Sequence, residues 1–328
     1  MRAESIRAAL IMSLAMAAFI AHDAGMKSVA AGLPMLQALA LRNTLVTLLF
    51  AALAVARGDA RQWRALAEPL VWGRSVADTI ATLLYMLALP HVALTLAVTL
   101  NMATPLVLLP MAGLFLRERI DRHRSLAVLA GFTGVLLVLR PAGHSLSGWA
   151  VLSATSAVFF AARDVMTRRV PARVPNLLVA VVMTATLAVV TLGWNTWEGW
   201  APVTPSQWAG VGVSSALIAL GYYLAIVALR MGEVSLTSAF RYTAVPWGAA
   251  WGYLLWGEVP DGVTLGGAAL ILGAGLYALY HERREPPLAD AASARVVVDL
   301  SSGLPIEDPQ AEIDRAPANG THRDSKEG

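Results

Sequence analysis

The sequence has no cysteine and only two lysines, and charged residues fill just 14% of its 328 positions. The missing thiols exclude disulfides, thiolate metal sites and a cysteine nucleophile. The shortage of charge excludes more. Soluble domains carry about 25% charged residues, whereas this chain is 57% hydrophobic with a mean hydropathy of +0.59. A water-soluble enzyme is not what such a composition builds. Also missing are a phosphate-cradling loop, a nucleophile elbow and a metal-ligand cluster, and the six histidines are scattered. Catalysis is not expected and no cofactor is called for. An ATP-driven pump would need its nucleotide-binding part from a separate subunit.

The charge that is present divides unevenly. Residues 1–284 hold 21 Lys+Arg against 13 Asp+Glu, while residues 285–328 hold 4 against 9. The segment from Glu285 onward is rich in Pro, Ser, Asp, Glu and Ala, and reads as a disordered cytoplasmic tail, either inert or partner-binding. The basic body needs another explanation than nucleic acid.

That explanation is a lipid bilayer. A membrane helix needs about 20 apolar residues, and ten such stretches occur, at 7–27, 34–56, 74–90, 93–116, 124–140, 147–168, 175–194, 207–229, 234–256 and 262–281. The first reads as a span and not a cleaved signal peptide, because His22, Asp23 and Lys27 stand where small residues would be cut. Alternate connections carry 16 Lys+Arg on one side and only Lys27 and Arg140 on the other. The positive-inside rule then puts both termini in the cytoplasm of a bacterial inner membrane.

Laying the second half of the chain over the first in a single register brings Asp23 onto Asp164, Pro34 onto Pro175, Pro105 onto Pro246 and Gly134 onto Gly275. Lys27 meets Arg168, and span edges fall in the same register. The predicted fold class is an all-α polytopic membrane protein, ten transmembrane helices forming two inverted five-helix repeats at 1–141 and 142–284. An odd number of spans per repeat turns the second half over in the membrane. Inverted repeats characterise secondary transporters, whose halves rock about a midplane site.

The motifs near each half's fourth span carry a resemblance. They read Ala103-Thr104-Pro105 followed by Leu116-Arg117-Glu118-Arg119, and Phe240-Arg241-Tyr242-Thr243, Val245-Pro246, then Trp256-Gly257-Glu258. With the glycine-rich last span, Gly267 to Gly275, they make the chain resemble the EamA-type, ten-helix branch of the drug/metabolite transporter superfamily, over residues 7 to about 281. One departure is Arg117, where the family has a glycine before the glutamate. The resemblance implies a carrier of small molecules, since members export amino acids, drugs or metallophores, or import riboflavin or S-adenosylmethionine. It leaves the substrate open.

Charges inside spans are the candidate site residues, because a charge at the bilayer centre costs about 3 kcal/mol. Arg241, read as two turns into the ninth span beside Val245, Gly248 and Gly252, is a candidate anion anchor. Arg42, whose repeat counterpart is Met183, is the second. Asp78, Thr82 and Tyr85 form a polar stripe on the third span, and Tyr222 offers a hydroxyl from the eighth. Asp23 with Lys27, and Asp164 with Arg168, sit four residues apart and suggest a gate at each mouth; the plainer reading is a tethered cation at a helix C-terminus. His22 has the chemistry for proton coupling, with an unperturbed pKa near 6.5. Glu118 and Glu258 read as structural caps. The small-xxx-small runs Gly248-xxx-Gly252 and Gly262-xxx-Gly266 suit tight helix packing or a homodimer face. The function expected is secondary transport of a small charged or zwitterionic metabolite, an amino-acid-like compound or amino-acid-derived metallophore. Riboflavin or S-adenosylmethionine uptake is the alternative, and a membrane scaffold or sensor working through its tail is the reading from another class.

Overall fold

A computed structural model describes residues 3–115, 122–139, 147–167, 169–171, 173–231 and 240–282. Arg168, Glu118 and the segment from 283 onward, singled out above, lie outside the described residues. The regular structure among those described is helical, with no strand. The helices are α1 (Ala3–Val29), α2 (Met35–Arg57), α3 (Pro69–Ala88), α4 (Leu94–Asn101), α5 (Thr104–Phe115), α6 (Arg122–Leu139), α7 (Gly148–Thr167), α8 (Asn176–Glu198), α9 (Pro205–Met231), α10 (Ala244–Trp256) and α11 (Gly262–Glu282). Short 3-10 turns lie at 59–67, 89–91 and 240–243.

By length and composition, α1, α2, the α4–α5 pair, α7, α8 and α9 can each cross a bilayer. Shorter apolar stretches run through α6 (Ser125–Leu139) and α11 (Gly262–Ala278). The outer faces are greasy: Leu14, Leu48, Leu129, Phe132 and Val189 are each more than half exposed. A belt of this kind suits lipid and not water.

Sequence punctuation sets the helix ends. Pro34 and Pro175, which coincide in the repeat register, stand just before α2 and α8 in nearly the same extended conformation (φ −52°, ψ 130° and φ −60°, ψ 134°). Proline cannot donate a backbone hydrogen bond, so it fits this boundary. The fourth apolar stretch is interrupted for the same reason. Pro105 cannot donate to the Asn101 carbonyl, and the Thr104 hydroxyl donates to it instead, at 2.6 Å. The interruption between α4 and α5 turns Asn101, Met102, Thr104 and Pro105 toward the interior. The Thr243 hydroxyl donates to the Phe240 carbonyl in the same three-residue pattern, where the 3-10 turn 240–243 leads into α10.

Packing is cross-wise between the halves. The most extensive contacts are α1 with α9, α3 with α7, α6 with α11 and α2 with α8. In each pair one helix comes from the first half of the chain and the other from the second. The α6–α11 crossing is close enough that a Cβ on Gly134 would lie 2.9 Å from the Gly267 carbonyl oxygen. One on Gly267 would lie 2.8 Å from the Gly134 carbonyl.

Candidate functional site

A cavity of about 760 Å³ lies where the two halves meet, lined by α1, α2, α3 and the α4–α5 break from one side and by α7, α8, α9 and residues 241–244 from the other. That volume is within the range of small-molecule sites, about 300–1,000 Å³. Of the candidate residues, His22, Asp23, Arg42, Asp78, Tyr85, Asp164, Tyr222 and Arg241 all line it. Lys27 does not.

One wall is built on α1 and α2. The His22 Nδ1–H donates to the Ser214 carbonyl at 3.0 Å, and the Arg42 Nη1 donates to His22 Nε2 at 2.9 Å. The carbonyl has only lone pairs, so this geometry fixes a neutral imidazole with its proton on Nδ1. Arg42 also donates through Nη2 to Asn43 Oδ1 at 2.9 Å, and Asn43 is anchored in turn on the Leu39 carbonyl. Beside them, the Tyr85 hydroxyl donates to Asp23 Oδ2 at 2.9 Å. All five side chains are buried.

The opposite wall centres on Arg163. Its guanidinium donates to Asp78 Oδ1 at 2.7 Å and to Asp164 Oδ1 at 2.8 and 2.9 Å, and lies over the Phe160 ring at 4.8 Å. One cation thus serves two carboxylates. Tyr222 stands between the walls, its ring edge-on to Phe19 (5.2 Å) and Phe50 (6.2 Å). The preceding Gly221 permits this, because a Cβ there would meet the Phe19 ring at 2.8 Å.

Two expectations are corrected. Arg241 is not two turns into an α-helix. It sits exposed in the 3-10 turn 240–243, at the rim of the cavity, while the small-residue face of α10 is taken up by a neighbouring helix. Gly248 and Gly252 are buried against Thr95 and Val98 of α4, so this small-residue run is occupied within the chain. Gly262 and Gly266 face open space instead. The second correction concerns Lys27. Its neighbour Asp23 is held by Tyr85. Lys27 Nζ donates instead to Glu258 Oε1 and to the Val92 carbonyl, each at 2.6 Å, under the Trp256 ring at 4.7 Å. The i,i+4 spacing allows an Asp23–Lys27 pair, but better acceptors arrive from elsewhere in the fold.

Glu258 does act as a cap, though for α4 and not for its own helix. Gly257 at φ 67° turns the chain back after α10, with hydrogen bonds from Gly257 N–H to Tyr253 O and Glu258 N–H to Gly252 O. Only glycine adopts this left-handed conformation freely. The turn delivers Glu258 Oε2 to the Leu94 N–H at 2.7 Å, an otherwise unsatisfied donor at the start of α4. Asn43 and Asn101 are cavity residues to which the sequence pattern assigns no role. Arg163 has a signal, an Arg-Asp pair in an apolar span, but its partner Asp78 belongs to a different span and carries no mark of pairing.

Similarity to known proteins gives the chain its place. The EamA-like transporter family matches twice, at residues 6–140 and 147–280. The pseudopaline exporter CntI of Pseudomonas aeruginosa is 31% identical over 279 residues, 81% of this chain and 93% of that protein. A riboflavin transporter of Rhizobium johnstonii is 27% identical over 222 residues (68% and 72%), and an S-adenosylmethionine uptake transporter of Rickettsia bellii 24% over 193 (58% and 65%). A solved crystal structure 21% identical superposes with a TM-score of 0.57 over 85% of this chain and 99% of the other, a likeness of fold. The two family matches cover both halves between which the charged cavity lies, and on them the chain belongs to the EamA-like transporter family.

Proposed function

We propose that this chain is a secondary transporter of a small charged or zwitterionic metabolite, working by alternating access between two inverted five-helix halves in a bacterial inner membrane. The observation that carries this reading is the cavity, held between both halves and walled by buried charges of both signs. Buried charge inside an apolar bundle is costly and is kept where it handles a polar cargo.

The packing supports the repeat. Taking α4–α5 as one span, exchange of halves turns the α1–α9 contact into α7–α3, and α2–α8 and α6–α11 into themselves. The main contacts are therefore preserved under the two-fold operation that inverted repeats require. The interrupted fourth span, with its polar break facing the cavity, fits the discontinuous helices that carriers use at midplane sites. In this reading Arg42, Tyr85, Asp78 and Tyr222 contact substrate inside the cavity, Arg241 meets it at the rim, and Lys27 closes the mouth on its side.

Among the relatives, the pseudopaline exporter favours an amino-acid-derived cargo. The S-adenosylmethionine uptake relatives support uptake as a second reading, because that molecule also carries a carboxylate and an ammonium. The test is counterflow in proteoliposomes with a metabolite panel at several pH values. We expect saturable exchange that survives deletion of residues 285–328 and is lost in Arg42→Gln. Flux indifferent to Arg42, Arg241 and Asp23 together would refute the site. A protein that moves nothing, yet whose tail deletion has a cellular phenotype, would favour the scaffold reading.

A further inference from the structure

The connection between α2 and α3 is a surface element with a composition of its own. It follows α2 at the end of the bundle away from the Lys27–Glu258 pair, and its 3-10 segment 59–67 contains no buried residue. Arg57, Arg61 and Arg64 are exposed here, and so are Trp63 (64%) and Trp72 (51%). None of the three arginines has a hydrogen-bond or ion-pair partner among the described residues, and Arg64 lies over the Trp63 ring at 5.9 Å. The connection has two acids, Asp59 and Glu68. Arg173 takes Glu68 at 3.0 Å, which leaves Asp59 alone against three guanidiniums.

The connection is nonetheless held in place. Ala65 and Leu66 pack on a small apolar cluster of Val71, Val174, Val179 and Val182. The Trp72 indole donates to the Leu66 carbonyl at 2.8 Å, and the Glu68–Arg173 pair ties the connection to the chain before α8. Three unpaired cations and two exposed indoles are therefore presented on a fixed support that touches both halves. Indoles favour the headgroup level of a bilayer, and a cluster of arginines beside it attracts anionic lipid.

We propose that residues 57–72 form a binding surface for the headgroup of an anionic phospholipid. A guanidinium offers paired N–H groups to two phosphate oxygens, so Arg57, Arg61 and Arg64 hold the phosphate. The Trp63 and Trp72 indoles sit beside it, against the glycerol and the start of the acyl chains. The occupant is a lipid and not dissolved phosphate, because tryptophans add affinity only for a ligand with an apolar part. This placement rests on the chain spanning a bilayer, as the transporter reading has it. The positive-inside count puts the exposed Arg7 and Arg122 on the same side, and they measure the general effect of charge there.

The test is thermal unfolding of the purified full chain titrated with dioctanoyl phosphatidylglycerol, dioctanoyl phosphatidylcholine and inorganic phosphate. We expect saturable stabilisation by phosphatidylglycerol, binding about tenfold or more tighter than phosphatidylcholine, and none by phosphate. Changing Arg57, Arg61 and Arg64 together to Gln should weaken phosphatidylglycerol binding about tenfold or more, whereas Arg7→Gln with Arg122→Gln should not. Glu68→Gln frees Arg173 and should tighten binding severalfold. Where the triple variant does not fold, Arg61→Gln alone and Glu68→Gln decide. Equal binding of the two lipids, equal stabilisation by phosphate, or wild-type binding in the triple variant would each overturn the proposal. So would an equal loss in the Arg7 and Arg122 variant, or unchanged binding in Glu68→Gln. A protein that selects phosphatidylglycerol yet shows no counterflow of any metabolite would sink the transporter reading alone.

Discussion

Lys27 and Glu258, far apart in sequence, are joined by a 2.6 Å hydrogen-bonded ion pair that ties α1 to the turn after α10. The same lysine holds the Val92 carbonyl and the same glutamate caps α4 at Leu94. Three pieces of the chain therefore converge at one end of the bundle. The exposure of the charged groups follows. His22, Arg42 and Asp23, on the α1–α2 side toward this end, are buried, while the Arg163 and Asp164 side chains near the C-terminal end of α7 are 19% and 31% exposed and Arg241 is exposed.

This clasp predicts an access phenotype. Since the chain has no cysteine of its own, a single Val98→Cys, placed in the cavity wall, reports on entry. Maleimide labelling from the Lys27 side should be slow with the clasp intact and rise severalfold in Glu258→Ala, which loses both the ion pair and the cap. Glu258→Gln keeps an acceptor for Leu94 and should label at an intermediate rate. Equal labelling in all three would show that the pair does not close this mouth. Glu258→Ala should also lower the unfolding temperature, because a partly buried ammonium is left uncompensated.

The Arg163 cluster makes a thermodynamic prediction. Removing Arg163 alone (Arg163→Met) takes from Asp78 and Asp164 the cation that both are hydrogen-bonded to, and should destabilise the protein by about 3 kcal/mol, as for other broken buried pairs. Asp78→Asn combined with Arg163→Gln removes one charge of each sign. It should cost less than the sum of the two single changes, with a coupling of about 1–3 kcal/mol in a double-mutant cycle followed by thermal unfolding. Strict additivity would mean that the contact between Arg163 and Asp78 carries no net energy.

The fate of these residues shows what a sequence makes legible. Helix existence is readable because apolar stretches of about 20 residues have few alternatives. The proline boundaries are readable because the missing N–H acts locally. Membership of a cavity is largely readable too, since a charge in an apolar span has only the interior to go to. Partners are not. Lys27 has Asp23 one helical turn away and takes Glu258 instead, and Arg163 on α7 reaches across to Asp78 on α3. Those choices depend on how helices cross, and crossing angles leave no local mark. Arg241 escapes a sequence reading for a related reason. Hydropathy cannot distinguish a continuous span from a 3-10 turn followed by a 13-residue helix.

His22 makes the same point and carries its own prediction. Its sequence position beside Asp23 suggests a proton carrier, but in the structure both ring nitrogens are committed. A second proton on Nε2 would face the Arg42 guanidinium head-on. His22→Gln offers an amide donor and a carbonyl acceptor and should preserve both transport and its pH profile. His22→Phe offers neither, should release Arg42, and should weaken cargo binding to the degree that Arg42→Gln does. A pH profile altered by His22→Gln alone would restore the proton-coupling role.

The glycines of α6 and α11 separate two effects of one substitution. In a helix interior, Gly→Ala ordinarily stabilises by about 0.5–1 kcal/mol, because alanine loses less conformational freedom on folding. At Gly273 an added Cβ meets nothing within 4 Å, so Gly273→Ala should be neutral or slightly stabilising. At Gly134 the same methyl would lie 2.9 Å from both the Gly267 carbonyl and the Ile271 side chain, and backbone cannot step aside as a side-chain tip can. Gly134→Ala should therefore force α6 from α11 and lower the unfolding temperature. Gly267→Ala should do the same, since its methyl would press on the Gly134 carbonyl. Because each methyl occupies the same gap between the helices, the double substitution should cost less than the sum of the two. Equal unfolding temperatures for Gly134→Ala and Gly273→Ala would mean that the two helices do not cross at this glycine pair.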